Sequence, residues 1–403
     1  MATRKHLIGA AIVTGMAALS GTARAAAPTG DPITIGVVED RSGAATFYSS
    51  ESVKGLKLFI DMINRGEFLF ASSAVGTAPG ILGRPVKAIF EDDENNPNLT
   101  AVKTRRLIEN GAQIILFVSG SGSTLQGRIV CTEQKILCLA PTNVSAKIVQ
   151  PPNNDYIFTI TPQSETASAV YIEAWKKLGY HKLAFIEDES ATAKTVADAY
   201  RKAFEAAGLS RVADEQVEAS ARDANAQLLR IGAAEPDVIF DLIQSAPSSA
   251  NLYRSAAKLG VKTARWGTNT ITAQPKIWQL AGDAINGLLV VDNLAPDNAN
   301  TNQVKAAYQK QYGADAPYVF LHSMVWDALM LTKKAAETTG STDGTRLRDA
   351  IETMADFPSS YGQKGNSLTF AKDRHNGAGN KGNVIVQFAH SAPSVVWDVY
   401  QPN

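Results

Sequence analysis

IILFVSGSGSTLQGRIVCTEQKILCLAPTNV, residues 114–144, holds the pattern on which the rest of the chain turns. An apolar, β-rich run from Ile114 to Val118 stops at Ser119-Gly120-Ser121-Gly122-Ser123-Thr124, a helix-like segment follows, and a second apolar run covers Ile136 to Leu139. Strand, small-residue turn, helix and strand make a βαβ unit. In such a unit the turn lies at the carboxyl edge of a parallel sheet, where unpaired backbone N–H groups and the positive end of the helix dipole face a crevice. An anionic group suits that edge. The second strand ends in Pro141-Thr142-Asn143, so another polar turn opens beside the first, and the two form a pocket for one negatively charged end of a ligand.

The same alternation extends in both directions. Upstream, Ile33 to Val38 is a buried strand closed by Glu39-Asp40-Arg41-Ser42-Gly43, and Val53, Leu56, Ile60 and Ile63 recur at helical spacing behind Phe47 and Tyr48. Phe68 to Gly83 is Ala/Ser/Gly-rich and aperiodic, which predicts a surface excursion. Val86 to Phe90 is a second strand, and the acidic, Asn-rich turn from Glu91 to Asn98 leads into a helix ending at Asn110-Gly111. Those acids lack the alternate-position spacing and distal Glu of a calcium loop, so they read as a solvated helix cap and not as a metal site.

Downstream, Tyr156 to Ile160 is a strand that leads to a crossing point at Thr161-Pro162. A second set follows: helices at 165–178, 195–207, 224–233 and 250–259 alternate with strands at 183–186, 212–217, 238–243, 264–267 and 288–291. Strands alternating with helices of this length imply parallel sheets covered on both faces. The final third, with helices near 303–312, 319–337 and 345–354 and a strand at 384–388, is too helical for a third α/β domain and is expected to complete the first two.

Composition sets outer bounds. Arg4 and Lys5 precede an apolar run from Leu7 to Leu19, and Ala23-Arg24-Ala25 offers a small-x-small cleavage site, the pattern of a secretory signal peptide covering residues 1–25. No later segment approaches the roughly 18 apolar residues of a membrane span, and no cysteine in the first 130 residues offers a site for a lipid anchor. Residues 1–25 carry three basic residues and no acid, leaving 36 basic against 39 acidic residues, a net of about −3. That balance attracts neither nucleic acid nor an anionic membrane face. The remaining 378 residues exceed what one hydrophobic core usually serves. Cys131 and Cys138 lie seven positions apart in an exported chain; a disulfide and a pair of buried thiols both fit.

Signal peptide, PITIGVVEDRSG, SVKGLKLFIDMIN, ILGRPVKAIFEDDENNPNLTAVKTRRLIENGAQIILFVSGSGSTLQ, ILCLAPTN, DYIFTITPQ, KLAFIEDES, PDVIFDLIQ and INGLLVV stand in an order that resembles the periplasmic solute-binding proteins of branched-chain amino acid type ABC importers. The resemblance covers nearly all of the chain beyond residue 25. It implies a type I periplasmic binding fold: α/β, with two doubly wound parallel-sheet lobes joined by a three-segment hinge near Thr161, Asp292 and Asn383. Residues 26–161 with 293–382 would form lobe 1, and 162–292 with 383–403 lobe 2. The implied protein is a periplasmic monomer without a lipid anchor, cofactor or metal, whose partners are a small-molecule ligand and an inner-membrane ABC permease.

Carried over position by position, the resemblance assigns a ligand carboxylate to Ser121 and Gly122 and to Thr142 and Asn143, and an aromatic contact to Tyr48. Val144 stands where the family often has a hydroxyl. Across the cleft, Thr192 and Gln244 occupy positions that are aromatic in the family, and Asn269 replaces the acid that pairs with a bound amino acid's ammonium. A buried ammonium without a carboxylate partner costs several kcal/mol, about what an unpaired buried ion retains after relaxation. The expected ligand is therefore an aromatic or short aliphatic acid without an α-ammonium. The alternative is an amino acid or amide, which Glu187, Asp188 or Glu189 would serve by reaching into the cleft.

Enzyme signatures are missing from the central stretch. Ser119 to Thr124 is not Gly-x-Ser-x-Gly, lacks the Gly-Lys-Ser/Thr of a P-loop, and has Leu125 where a dinucleotide fingerprint needs Gly or Ala. His181, His322, His375 and His390 have no metal-ligand spacing.

Overall fold

A computed structural model of the chain describes residues 26–43 and 46–396; the signal peptide expected at 1–25 lies outside the described residues. The first lobe begins with β1 (Ile33–Glu39), α1 (Thr46–Arg65), the single turn α2 (Ser72–Val75), β2 (Val86–Asp92) and α3 (Pro97–Glu109). It continues with β3 (Ile114–Phe117), α4 (Ser121–Gln134), β4 (Leu137–Ala140) and β5 (Ile157–Thr159). The sheet is fully parallel in the order β2-β1-β3-β4-β5. All seven residues of β1 are buried, as both faces of a parallel sheet under helices require.

The second lobe starts with α5 (Ser164–Lys177), β6 (Lys182–Asp188), α6 (Ala191–Ala206), β7 (Ser210–Val217) and α7 (Asn225–Ala233). Then come β8 (Val238–Asp241), α8 (Ala246–Leu259), β9 (Ala264–Thr268), α9 (Asn269–Ala273), α10 (Pro275–Ala281) and β10 (Leu289–Asp292). The chain returns to the first lobe through α11 (Ala299–Tyr312), α12 (Phe320–Thr339), α13 (Gly344–Ile351) and the short pair β11 (Phe357–Pro358) and β12 (Ser367–Leu368), then closes on the second with β13 (Val384–Ala389) and β14 (Ala392–Val396). The second sheet runs β14-β13-β10-β9-β8-β6-β7. It departs from the expected parallel pattern at one side, where β13 pairs antiparallel with both β10 and β14. A strand that enters from the other lobe without a covering crossover helix is free to run against its neighbour.

Helix α12 is the centre of the first lobe. It is buried on every side from Phe320 to Lys333, the signature of a helix inside a core, and Trp326 meets Phe59 of α1 edge-on at 5.2 Å. The second core gathers Trp175, Phe204, Phe240 and Trp266. The segment expected as a surface excursion, 68–83, instead buries Phe68, Ala71, Val75 and Ile81. It is held by Lys333, whose ammonium donates to the Ala78 and Gly80 carbonyls at 3.0 and 2.8 Å. The acidic turn after β2 also differs from a solvated cap: Asn96 caps α3, but Asp93 is fully buried and accepts from Ser119 Oγ at 2.7 Å and Thr100 Oγ1 at 2.8 Å.

Cys131 and Cys138 form a disulfide that ties α4 to β4. Three crossing segments lie side by side. Asn293 Nδ2 donates to Gly382 O at 3.0 Å and to Asn383 Oδ1 at 3.2 Å, and a Cβ on Gly382 would come within 2.7 Å of Pro162 Cγ. No helix among the described residues is long and apolar enough to cross a membrane.

Candidate functional site

Each sheet reverses its strand order once, between β1 and β3 in the first lobe and between β6 and β8 in the second. Ligands of doubly wound sheets bind at the carboxyl ends of strands flanking such a reversal. At the first of these edges the turn after β3 is shorter than expected, because Gly120, extended at φ −67° and ψ 158°, is the N-cap and α4 begins at Ser121. Ser121 and Gly122 therefore stand in the helix's first turn, where the amides of Ser121, Gly122 and Ser123 have no intrahelical acceptor. Gly122 is exposed and has nothing within 4 Å of its Cβ position. Neither the Ser121 nor the Thr142 hydroxyl makes a hydrogen bond among the described residues, and both residues are half-buried.

Asn143 is held more tightly. It is buried, and its Nδ2 donates to Ser119 O at 2.8 Å, so it brackets the two turns together. Asn95, within the acidic, Asn-rich turn ahead of α3, joins this edge: its Oδ1 accepts from Gly120 N at 3.1 Å and from Ser123 Oγ at 3.2 Å. Only the neighbouring small residues hint at such a partner in the sequence.

In the second lobe the carboxylates near the edge are occupied. Asp188 accepts from Ser190 N at 3.1 Å and from the Gln244 and Ser245 amides at 2.8 Å each, clamping the turns that flank the reversal. Glu187 is paired with Arg201 at 2.9 Å. Asp292 accepts from Thr272 Oγ1 at 2.8 Å, and burial pushes its carboxyl up to about 6. Of the three acids expected as alternatives, Glu189 alone is exposed. Gln244 is half-buried and turns its Nε2 back to Leu242 O at 3.1 Å. Thr192 falls in the first turn of α6, and its side chain lies outside the described residues. Asn269 opens α9, half-buried, with its Nδ2 on Asn293 Oδ1 at 3.0 Å.

The two edges face each other with the lobes in contact. Tyr48 OH donates to Thr270 Oγ1 at 3.1 Å across the interface, so the aromatic expected to pack on a ligand is also a lobe-to-lobe contact. Ala273 of α9 is fully buried within the first lobe's core. Trp266 and Trp326 are both core residues. Among the described residues no group of three or more His, Cys, Asp or Glu is arranged to hold a metal ion.

A family model described as periplasmic binding protein matches residues 32–384. The Leu/Ile/Val-binding protein BraC3 of Rhizobium johnstonii is 21% identical over 332 residues, 82% of this chain and 86% of that one. A leucine-, isoleucine-, valine-, threonine- and alanine-binding protein of Pseudomonas aeruginosa is 20% identical over 292 residues, 72% of this chain and 77% of its own. Among solved structures, LivJ of Streptococcus pneumoniae in complex with isoleucine superposes with a TM-score of 0.72 at 19% identity, covering 91% of this chain and 99% of that one. LivK of Thermotoga maritima gives 0.71 at 19% identity, covering 90% and 98%.

Proposed function

The chain belongs to the periplasmic binding protein family, and from that premise, as a solute-binding component of an ABC importer, we propose that it captures a small ligand with an anionic end and no α-ammonium. Aromatic and short aliphatic carboxylic acids are the class that fits. The observation that carries this reading is the engagement of Asp188 and Glu187 within the second lobe, together with an Asn at 269. Among the described residues of that edge Glu187, Asp188 and Asp292 are all engaged, and Glu189 would have to turn inward to meet an ammonium. The first lobe offers the opposite: the amides at the start of α4 and the hydroxyls of Ser121 and Thr142 are donors suited to a carboxylate.

Residues 26–161 with 293–382 act as one lobe and 162–292 with 383–403 as the other. Ligand contacts made from both lobes exist only when they close, so occupancy shifts the population to the closed form that a permease would engage. The chain works as a monomer in the periplasm. A second reading, an amino acid or amide, draws on the Leu/Ile/Val-binding relatives and on the exposed Glu189.

The deciding experiment is a thermal-shift and calorimetry panel of isocaproate, benzoate, leucine and valine, since a ligand that binds only the folded form raises the melting temperature. Isocaproate is leucine's carbon skeleton without the amine. Binding of isocaproate or benzoate in preference to leucine is expected; tight leucine or valine binding would reverse the assignment.

A further inference from the structure

The turn after β2 brings a third set of donors to the anion-binding end. Asn95 has φ +51°, in the left-handed region that Asn tolerates better than most residues because its short amide bonds locally. Its Oδ1 accepts two hydrogen bonds, from Gly120 N and Ser123 Oγ. The Gly120 amide can only donate, so the atom it meets is the oxygen, and this fixes the orientation of the Asn95 amide. The nitrogen beside it has no acceptor among the described residues. It is close to the helix start: a Cβ on Gly120 would stand 3.2 Å from Asn95 Nδ2.

Resting on the reading that the start of α4 holds the ligand's anionic end, we infer that Asn95 is a ligand-contacting residue whose Nδ2 donates to that same anion. The oxyanion then receives donors from three successive turns: Asn95 after β2, the Ser121 group after β3 and Thr142 after β4. One side chain has two tasks here. Its oxygen occupies the outermost amide of the helix, Gly120, and its nitrogen extends the donor surface that the inner amides begin. Aspartate in this place would keep the first task and reverse the second, putting a negative oxygen against the ligand. The neighbouring acids make the distinction sharp, because Asp92 and Asp93 are already engaged, by the Arg41 amide at 3.0 Å and by Ser119 and Thr100, and lend no donor of their own.

The test is Asn95→Asp, with isocaproate, benzoate and leucine as probes in calorimetry and a melting curve for each variant. Asn95→Asp is expected to melt near the unmodified protein and to bind its best probe more weakly by about tenfold to a hundredfold, the range of a lost hydrogen bond to a charged group. Asn95→Gly, which the positive φ accommodates, removes the donor without adding charge and guards against a folding defect in the first variant; about tenfold weaker binding is expected. Ser121→Ala and Thr142→Val report separately on the anionic end. Weaker binding in these two with none in either Asn95 variant overturns the inference and leaves the ligand reading standing. Unchanged binding in all four variants, or no binding of any probe by the unmodified protein, overturns both.

Discussion

Asn269 and Asn293 are joined side chain to side chain, Asn269 Nδ2 donating to Asn293 Oδ1 at 3.0 Å. Asn293 spends its own nitrogen on Gly382 O and Asn383 Oδ1, so its oxygen must accept and Asn269 must donate. The residue standing where an ammonium's acidic partner is expected is thus wired to the crossing segments. Asn269→Asp would set two oxygens against each other and supply the missing negative charge. The expected outcome is a loss of about 1–3 kcal/mol in folding stability, the cost of an unsatisfied buried acceptor, with leucine affinity rising relative to isocaproate. Urea denaturation and paired calorimetry measure the two effects. An unchanged leucine-to-isocaproate ratio would remove position 269 from ligand discrimination.

The disulfide between Cys131 and Cys138 joins residues seven positions apart, and both cysteines are fully buried. Loop-closure entropy for so short a ring corresponds to about 2.5 kcal/mol. The double variant Cys131→Ala/Cys138→Ala is expected to lose about that much in urea denaturation while retaining ligand binding, because the bond anchors the far end of α4 and not its first turn. Loss of binding at full folding would show that the bond also sets the helix start.

Lys333 is fully buried in α12, and its ammonium reaches Ala78 O, Gly80 O and Glu337 Oε1 at 2.8 to 3.0 Å. Glu337 Oε1 also accepts from Leu82 N at 2.8 Å. Lys333→Met would leave two carbonyls without their donor and the Glu337 carboxylate without its cationic partner, at an expected cost of about 2–4 kcal/mol. Limited proteolysis is expected to cut first between residues 68 and 83. Unchanged cleavage there would mean that Phe68 and Ile81 hold the segment unaided.

What was legible in the sequence is what local chemistry dictates. Val53, Leu56, Ile60 and Ile63 fall on one face at helical spacing and are all buried in α1, and the apolar runs became β1, β3 and β4 because few other states bury such runs on both sides. The segment 68–83 was illegible because its buried residues have no period; their order comes from a lysine more than 250 positions away. Antiparallel pairing of β13 was equally hidden, since strand direction depends on the route by which the chain arrives. Within the site, residue type alone did not separate Thr142, whose hydroxyl is uncommitted, from Asn143, whose Nδ2 is committed to Ser119 O. Nor did it separate Asn95 from the acids around it.

Three fully buried aspartates contribute to the expected pH dependence of stability. Burial pushes Asp327 up to about 7 although Ser359 Oγ and the Ser360 amide donate to it, and pushes Asp241 and Asp292 up to about 6. An unfolded aspartate titrates near ~3.9. A carboxyl whose folded pKa is raised binds its proton more tightly in the folded state, so its contribution is fully present below about pH 4 and is lost as pH rises through about 6 to 7. Stability from these groups is expected to fall across that window, and Asp327→Asn to flatten the fall. Urea midpoints at several pH values check this; an equal slope in the variant would assign the effect to the other two.

The Tyr48 hydroxyl connects the lobes through Thr270 and Gln274, which gives a direct measure of what closure contributes to binding. Tyr48→Phe keeps the ring and removes only the hydroxyl's contacts, so a change in affinity cannot come from lost stacking. A neutral hydrogen bond is worth about 0.5–1.5 kcal/mol net, and apparent affinity scales with the fraction of molecules in the competent state. The expected result is therefore binding weakened by about twofold to twelvefold, with a larger radius of gyration for the unliganded variant in small-angle scattering. If affinity falls while the unliganded dimensions stay the same, the hydroxyl acts on the ligand. If the protein opens while the affinity holds, the ligand's own contacts supply closure, and the burial of Ala273 against the first lobe becomes the contact that sets the resting state.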